Sequence, residues 1–367
     1  MTHPPTHVGA PVEEIDTPAV IVDLDAYERN LDRMADALRG KPVRLRGHAK
    51  THKCPVVALH QMARGAVGAC CQKVGEAEAM VYGGVRNVLV SNQIVGAGKI
   101  ARLMGLATQA PLVEIMACVD DPQNVRDLDR AAPAFGVRLP VLVEIDIGMN
   151  RCGVEPGEPA LALAREVAAQ PGLRFAGLQA YHGRAQHILE LDERRAVMEV
   201  AIGHVRATVD LLKRHGLDCG TVSGAGTGTY AFEAASGVYT EIQAGSYPFM
   251  DVDYKRVRGF PSEFEDALFV LATVMSQASP GRAVVDAGLK ALAVDAGMPV
   301  VYDRPDLQFQ RASDEHGILK VADPVGAQLW LIPGHCDPTI NLYDWYVAVR
   351  RGRVEALGPI TARGAVR

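Results

Sequence analysis

The sequence predicts an α/β protein in which a (β/α)8 TIM-type barrel is followed by a mostly β domain. Eight short apolar runs alternate with helical patterns between about residues 40 and 250, and polar residues follow nearly every run. After about residue 260 the pattern changes to strands separated by Pro, Gly and Asp turns. Parallel strands need crossovers of helical length, which the first region provides. A doubly wound open sheet is the alternative, and the placement of the polar residues favours the barrel.

The eight predicted barrel strands are short runs, most of them rich in β-branched residues. They are Val43–Leu45, Ala66–Cys70, Asn87–Val90, Leu112–Val119, Leu139–Ile145, Leu173–Ala180, Thr221–Val222 and Tyr239–Ile242. Apolar residues at i, i+4 spacing from Val197 to Leu212 predict a helix that stops near Gly216. Asp121 before Pro122 predicts the start of another helix, since aspartate caps helices and proline suits their first turn.

The chain after the barrel is predicted to form a second, mostly β domain. The early apolar run Ala19–Leu24 is expected to join that domain. A hairpin turn is predicted at Arg351-Gly352. We therefore divide the chain into an N-terminal arm and strand (1–25), a barrel (26–258) and a β domain (259–367). The predicted strands of the β domain are Leu268–Met275, Arg282–Asp286, Gln328–Ile332 and Trp345–Val349.

Composition and charge argue against several classes of protein. The net charge of -5 disfavours a nucleic-acid partner. No apolar run reaches the ~18 residues that a membrane span needs, and the N-terminus has no signal-peptide pattern. The seven cysteines contain no CxxC pair, so neither a disulfide framework nor a zinc ribbon is indicated. We expect a cytoplasmic protein with no nucleic-acid or membrane partner.

Two loops near the end of the predicted barrel indicate a phosphate site. Ser223–Gly228, with the sequence SGAGTG, follows the seventh strand, and Gly245-Ser246-Tyr247 follows the eighth. Barrel phosphate sites commonly form from these two loops, where glycines let backbone N–H groups approach an anion. SGAGTG alone is equally compatible with an ordinary flexible loop. Together the two loops predict a phosphate cradle.

A lysine follows the first predicted strand, and it suggests a cofactor with a carbonyl group. A lysine amine condenses with an aldehyde, and partial burial lowers the pKa of the amine enough for reaction near neutral pH. Lys50 is the candidate, whereas Lys53 and Lys73 lie near the same rim and compete with it. A solvated surface lysine is the plain alternative. His48 and His52 flank Lys50 as packing or supporting residues.

A series of motifs runs in order from Asp16 to Gly364, which is nearly the whole chain. The motifs are DTPAVIVDLDAYERN, RGHAKTHKCP, CCQKVGEAEA, EIDIGMNRCGV, GLQAYHGRAQH, SGAGTGTY, GVYTEIQAGSYPFMD, VVDAGLK, SDEHG and PGHCDPTINLYDWYVAVR. Together they resemble the D-threonine aldolase and 3-hydroxy-D-aspartate aldolase family. That family shares the alanine-racemase-type fold, in which a (β/α)8 barrel that binds pyridoxal 5'-phosphate (PLP) precedes a β domain.

The resemblance implies a role for each matching residue. Lys50 holds PLP as a Schiff base, and His187 stands near the substrate hydroxyl. The remaining cofactor residues are Gln72 and Arg151 around the ring, Tyr181 near the pyridine nitrogen, and Gly226, Thr227, Gly228, Gly245, Ser246 and Tyr247 at the phosphate. A homodimer is also implied.

The resemblance further implies that His335 and Asp337 of the GHCDP motif bind a divalent metal. On an extended segment, residues at i and i+2 point the same way. One imidazole and one carboxylate, completed by water, suit Mn²⁺ or Mg²⁺, and Zn²⁺ is less favoured. Without the resemblance, a surface turn before Pro338 is the simpler interpretation. Related D-serine dehydratases carry a His and a Cys in their zinc clip, whereas Cys336 here is expected to point away, which favours the aldolase branch.

The implied reaction is retro-aldol cleavage of a D-3-hydroxy amino acid to glycine and an aldehyde. Threonine would give acetaldehyde, and 3-hydroxyaspartate would give glyoxylate. His187 or a metal-bound water would take the hydroxyl proton. Alternatives are a dehydratase that forms a keto acid and ammonia, a racemase, a metal-only barrel aldolase, and a PLP-binding protein without turnover. Arg184 would suit a second substrate carboxylate, with a solvent-facing arginine as the alternative.

Overall fold

The computed structural model describes residues 3–259, 264–320 and 324–367. Met1 and Thr2 of the predicted arm, and residues 260–263 and 321–323 of the predicted β domain, lie outside the described residues. The described chain forms a closed barrel of eight parallel strands and a separate nine-stranded sheet. The predicted fold class is confirmed, and the open-sheet alternative is wrong because the first and last barrel strands pair with each other.

All eight predicted barrel strands are present, and they pair in chain order after β1 (Ala19–Asp23). Leu112 lies exposed ahead of its strand, so that strand starts two residues later than predicted. The barrel strands are β2 (Arg44–His48), β3 (Gly68–Cys71), β4 (Asn87–Gln93), β5 (Glu114–Val119), β6 (Leu139–Glu144), β7 (Leu173–Ala180), β8 (Thr221–Gly224) and β9 (Glu241–Ile242).

Helices connect the barrel strands and carry the predicted caps. Asp121 accepts hydrogen bonds from the backbone N–H groups of Gln123 and Asn124, and Gly216 adopts a positive φ after the long helix, as predicted. The helices are α1 (Leu24–Leu38), α2 (Ala49–His52), α3 (Pro55–Met62), α4 (Val74–Tyr82), α5 (Ala97–Ala107), α6 (Pro122–Phe135), α7 (Glu158–Ala169), α8 (Leu191–Arg214), α9 (Tyr230–Ala235), α10 (Val252–Lys255) and α11 (Cys336–Ile340), with 3-10 turns at Val12–Glu14 and Arg184–His187. None of the described helices is long and apolar enough to cross a membrane.

A buried ion pair joins the first and last barrel strands. Arg46 of β2 donates from Nε and Nη2 to the carboxylate of Glu241 in β9, over 2.7 and 2.8 Å. Arg46 also donates from Nη1 to Asn87 Oδ1 on β4 (2.6 Å). Because both charged side chains are almost completely buried, their pairing is required for the barrel to close around them.

The second sheet receives β1 in its middle, as the sequence predicts. β1 pairs antiparallel with one strand and parallel with another that follows much later in the chain. The sheet order is β13-β14-β11-β10-β1-β16-β17, with β15 and β12 attached to β10. Three of these strands, β12, β13 and β14, were not predicted, whereas β17 follows the predicted hairpin turn at Arg351-Gly352. The strands are β10 (Leu268–Ser279), β11 (Arg282–Val285), β12 (Val300–Val301), β13 (Gln308–Ala312), β14 (Gly317–Lys320), β15 (Gln328–Ile332), β16 (Trp345–Arg350) and β17 (Arg353–Pro359).

Candidate active site

The C-terminal ends of the barrel strands surround a cavity of about 420 Å³. Residues that follow seven of the eight predicted strands meet there, although they are far apart in the sequence. The predicted site residues that line the cavity are Lys50, Gln72, Arg151, Tyr181, His187, Gly226, Thr227, Gly245 and Ser246. The cavity is the place where the sequence-based hypothesis puts the cofactor.

Lys50 lies in α2, the short helix that begins where β2 ends. Its Nζ is 3.1 Å from Asp337 Oδ2. Because this carboxylate stabilises the ammonium, the pKa of Lys50 is raised well above its ordinary value, although burial acts in the opposite direction. The expectation that burial lowers the pKa of this lysine is therefore wrong, since the attraction of Asp337 outweighs it.

The two competing lysines do not reach the cavity. Lys53 forms a buried ion pair with Glu76 (2.5 Å), and Lys73 precedes α4 as its N-cap residue. Among the cavity-lining residues that the structure describes, Lys50 is the only lysine. The choice of Lys50 over its competitors thus follows from geometry.

His48 supports the start of the lysine helix. Its Nδ1 accepts a hydrogen bond from the backbone N–H of Lys50 (3.3 Å). Burial, with a smaller contribution from the Lys50 charge, lowers the pKa of His48 to about 3. The ring is therefore neutral near pH 7 and serves as an acceptor at Nδ1.

The two glycine-containing loops pack so closely that side chains would not fit. A Cβ at Gly226 would lie 2.5 Å from Gln186 Oε1, and a Cβ at Gly245 would lie 2.8 Å from Thr51 Oγ1. The Thr227 hydroxyl accepts a hydrogen bond from the Ser246 N–H (3.1 Å), so the loops are joined. The result is a tight cradle whose remaining N–H and O–H donors suit a phosphate group.

Gly228 and Tyr247 lie outside the cavity wall. The Gly228 N–H donates to Gln186 Oε1 (2.9 Å). The Tyr247 hydroxyl accepts from Gln61 Nε2 (3.1 Å), and its ring contacts Phe264 beside a different cavity. The Tyr247 side chain therefore points away from the predicted phosphate, and only its backbone N–H is left for the predicted role.

A wall of the cavity is formed by Arg151, Tyr181 and Gln72. The Arg151 guanidinium lies 5.7 Å from the centre of the Tyr181 ring, and its Nη2 lies 4.0 Å from Glu144 Oε1. Burial raises the pKa of the Tyr181 phenol, which stays protonated. Glu76 Oε2 accepts from the backbone N–H of Gln72 (2.7 Å) and fixes the loop after β3. The Arg151 guanidinium, the Tyr181 phenol and the Gln72 amide therefore line the same cavity.

His187 is held by a partner that sequence reasoning missed. Its Nδ1 lies 2.8 Å from Asp253 Oδ2, and its ring lies beside Tyr254. The hydrogen bond to Asp253 raises the pKa of His187, and the same contact lowers the pKa of Asp253. Asp253 and Tyr254 lie two and three residues after the end of the GSYPFMD motif, so its continuation to DVDY was the available signal.

The candidate metal ligands start a helix instead of forming the predicted extended pair. His335 has an extended backbone as N-cap residue, whereas Asp337 lies in the first turn of α11. The simple i, i+2 argument is therefore wrong, because the chain turns at Cys336. His335 Nδ1 contacts Asp295 Oδ2 (2.8 Å), another partner that the sequence did not reveal. No cluster of three or more potential His, Cys, Asp or Glu ligands occurs among the described residues.

The pKa values of Asp337 and Cys336, in the turn after His335, are set by burial and by neighbouring charges. Burial would raise the pKa of Asp337, but Lys50 and His335 lower it well below its usual range. Cys336 is fully buried, and burial raises the pKa of its thiol well above the ordinary value. The Cys336 N–H donates to the buried Asp251 Oδ2 (2.8 Å), which ties α11 to the segment that carries Asp253.

Comparisons with known proteins agree with this architecture. Residues 22–252 match the family model of the alanine racemase N-terminal domain, and residues 267–349 match that of a serine dehydratase domain described as putative. The chain is 47% identical to the 3-hydroxy-D-aspartate aldolase of Paracoccus denitrificans (strain Pd 1222), over 98% of this chain and 95% of that protein.

Two further relatives bear on the chemistry. The crystal structure of the D-threonine aldolase from Filomicrobium marinum superimposes with a TM-score of 0.97 at 50% identity, over 99% of this chain and 100% of that chain. The D-threo-3-hydroxyaspartate dehydratase of Delftia sp. (strain HT23) is 30% identical, over 91% of this chain and 94% of that protein. Proteins named aldolases are therefore more similar to this chain than this protein named a dehydratase.

Proposed function

The chain belongs to the D-threonine aldolase and 3-hydroxy-D-aspartate aldolase family, and we propose that it is a lyase that cleaves D-3-hydroxy amino acids to glycine and an aldehyde. One observation carries the proposal. Lys50, the glycine cradle and His187, whose ring Asp253 holds from behind the wall, all belong to one cavity at the C-terminal end of the barrel. In the cleavage, the substrate hydroxyl loses a proton, the Cα–Cβ bond breaks, and Cα gains a proton.

The residues present fit pyridoxal phosphate. Lys50 supplies the amine that would hold the cofactor aldehyde, and the loops of Thr227 and Ser246 supply donors for its phosphate. A Cβ at Gly226 would meet Gln186 and one at Gly245 would meet Thr51 and His48, so both loops pack directly against the protein and are held at the edge of the cavity. When bound, PLP supplies the electron sink that makes cleavage at Cα feasible.

His187 is the residue that we assign to the substrate proton. Asp253 engages its Nδ1, which leaves Nε2 as the nitrogen that can accept a proton from the β-hydroxyl. Asp253 thus orients the ring and also stabilises its charged form. Tyr254 packs beside the ring and limits its rotation.

His335 and Asp337 would hold a divalent metal with water in the remaining positions, preferably Mn²⁺ or Mg²⁺. The Asp295 carboxylate on His335 Nδ1 supports this role, because ligating histidines commonly carry such a partner and bind through the other nitrogen. A metal held there would supply a Lewis acid for the β-hydroxyl. We include in the proposal a homodimer and a cytoplasmic location, which follow from the resemblance and the composition.

A dehydratase that releases a keto acid and ammonia is the second candidate. The 30% identical relative named a D-threo-3-hydroxyaspartate dehydratase is the observation that favours it. The higher identity to proteins named aldolases speaks for aldol cleavage.

Product analysis tests the proposal. The purified protein, supplied with PLP and Mn²⁺, is incubated with D-threonine, 3-hydroxy-D-aspartate and L-threonine. We expect glycine with acetaldehyde or glyoxylate from the D-substrates only. Lys50→Ala should abolish glycine formation, whereas Lys73→Ala, a lysine near the rim but outside the cavity, should not. Keto acid and ammonia would transfer the protein to the dehydratases, and no product despite bound PLP would leave a cofactor-binding protein.

A further inference from the structure

The cavity wall carries an unusual balance of charge. Its permanently charged side chains are the cations of Lys50, Arg151 and Arg184, and no carboxylate is among the described residues that line it. Such a wall favours anionic contents. The cradle accounts for one anion, the cofactor phosphate, and an amino acid brings at least one more in its α-carboxylate.

Most of these basic groups already have a partner or an assigned task. Lys50 faces Asp337 and is the proposed attachment point of PLP. Arg151 lies against Tyr181 and near Glu144. His187 is held by Asp253. Arg184 differs from them, because it is exposed to the cavity and makes no ion pair with any residue that the structure describes.

The backbone places Arg184 on the same side as His187. Residues Arg184–His187 form a single 3-10 turn, in which side chains at i and i+3 are eclipsed. The buried side chain of Gln186 anchors this turn, since its Nε2 donates to Thr229 Oγ1 (2.9 Å) and to the His182 carbonyl (3.1 Å). Arg184 and His187 therefore begin and end one anchored turn, and both residues line the same cavity.

This juxtaposition determines which substrate atoms Arg184 would meet. In the proposed reaction, His187 faces the hydroxyl on Cβ of the substrate. The third substituent of the same carbon is a methyl group in threonine and a carboxylate in 3-hydroxyaspartate. Because this substituent and the hydroxyl are bonded to the same carbon, the substituent lies near His187. It is therefore within reach of Arg184 on the same turn. Guanidinium groups bind carboxylates through two parallel hydrogen bonds, a geometry that lysine does not offer.

We infer that Arg184 binds a second carboxylate of the substrate and thereby makes this chain favour dicarboxylic over monocarboxylic D-3-hydroxy amino acids. The inference rests on the proposed function, because it uses the position assigned to His187. Arg184 is a specificity-determining residue in this interpretation. Threonine still reacts, but its methyl group leaves the guanidinium solvated.

The test compares two substrates on the PLP- and Mn²⁺-loaded enzyme. Arg184→Gln should lower kcat/KM for 3-hydroxy-D-aspartate roughly 10- to 100-fold, mainly through KM, as expected for the loss of charge-assisted hydrogen bonds. The value for D-threonine should change less than about threefold. Arg184→Lys should be intermediate, because it keeps the charge and loses the fork. Arg195→Gln is the matched control, since Arg195 lies on α8 in an exposed pair with Asp192.

A binding measurement separates this inference from the proposed function. D-Aspartate has the second carboxylate but no hydroxyl, so it can bind and cannot be cleaved. Its dissociation constant, followed through the cofactor absorbance, should rise in Arg184→Gln, and that of D-alanine should not. An equal loss for both substrates and both ligands, or no loss for either, would overturn the role of Arg184. If no substrate gives glycine with the unmodified enzyme, the proposed function fails while the D-aspartate comparison still decides the inference.

Discussion

Gly226→Ala tests whether the glycine loop is a phosphate cradle. The backbone at Gly226 is not in the left-handed region, so alanine is acceptable in conformation and the effect is purely steric. The new Cβ would lie 2.5 Å from Gln186 Oε1, whereas ordinary contact begins at 3.4 Å. The two groups must therefore separate by about 0.9 Å, the difference between these distances.

Gln186 cannot yield cheaply. Its side chain is fully buried and makes three hydrogen bonds: to Thr229 Oγ1, to the His182 carbonyl and from the Gly228 N–H. Each bond contributes about 1 kcal/mol, and a buried group left unpaired costs about 1–3 kcal/mol. The loop is expected to move instead, at a cost of about 1–3 kcal/mol for overpacking. This corresponds to a roughly 5- to 150-fold weaker affinity for PLP.

Titration of the apoprotein with PLP, followed by cofactor absorbance, measures this affinity. Pyridoxal, which lacks the phosphate, is titrated in parallel and should be affected little. Gly220→Ala is the matched control, because the nearest atom to its Cβ, the Ala176 carbonyl oxygen, lies at 3.8 Å. In a Gln186→Ala background, the cost of Gly226→Ala should shrink, since the clashing atoms are gone. Unchanged PLP affinity, or an equal loss for PLP and pyridoxal, would refute the cradle.

Three further predictions concern the base, the metal and the barrel. Asp253 raises the pKa of His187, and His187 must be neutral to act as a base. Asp253→Asn should therefore lower that pKa and move the acidic limb of the pH profile of kcat/KM to lower pH. An acidic limb that does not move contradicts the assignment of His187 as the base. Chelation should abolish glycine formation with PLP retained, and Mn²⁺ should restore the unmodified enzyme but not His335→Ala; activity that survives chelation excludes the metal role. Glu241→Ala should lower the free energy of unfolding in urea by about 3–5 kcal/mol, because the Arg46 charge stays buried without its partner. The control Asp36→Ala, which removes an exposed ion pair, should lower it by at most about 1 kcal/mol.

Sequence periodicity predicted the barrel because its strands are buried on both faces. Leu139–Glu144 and Leu173–Ala180 are almost entirely buried and therefore read as continuous apolar runs. The missed strands β13 and β14 form one edge of the second sheet, and exposed residues interrupt their burial patterns. Polar residues at sheet edges weaken the hydropathy pattern, so these strands could not be distinguished from loops.

Single residues were predicted where one strand end determines their position. Lys50 and Thr227 lie two and three residues after the ends of β2 and β8, and the barrel geometry brings such positions together. Asp253 and Asp295 act through partners distant in the chain, at His187 and His335. No spacing rule connects residues that meet only through tertiary packing, and for that reason sequence reasoning missed both.

The same packing argues against a protein that only stores its cofactor. Asp337 lies in α11 between β15 and β16 of the second sheet, yet its carboxylate reaches Lys50 at the end of the first barrel strand. The buried Asp251, which follows the last barrel strand, holds α11 in place through the Cys336 N–H. Cofactor storage needs only the lysine and the cradle, both of which the barrel supplies. Storage does not need Asp337, which the second sheet brings to the reactive amine, or His335 of the same turn. A reaction on the β-substituent of a substrate does need such groups.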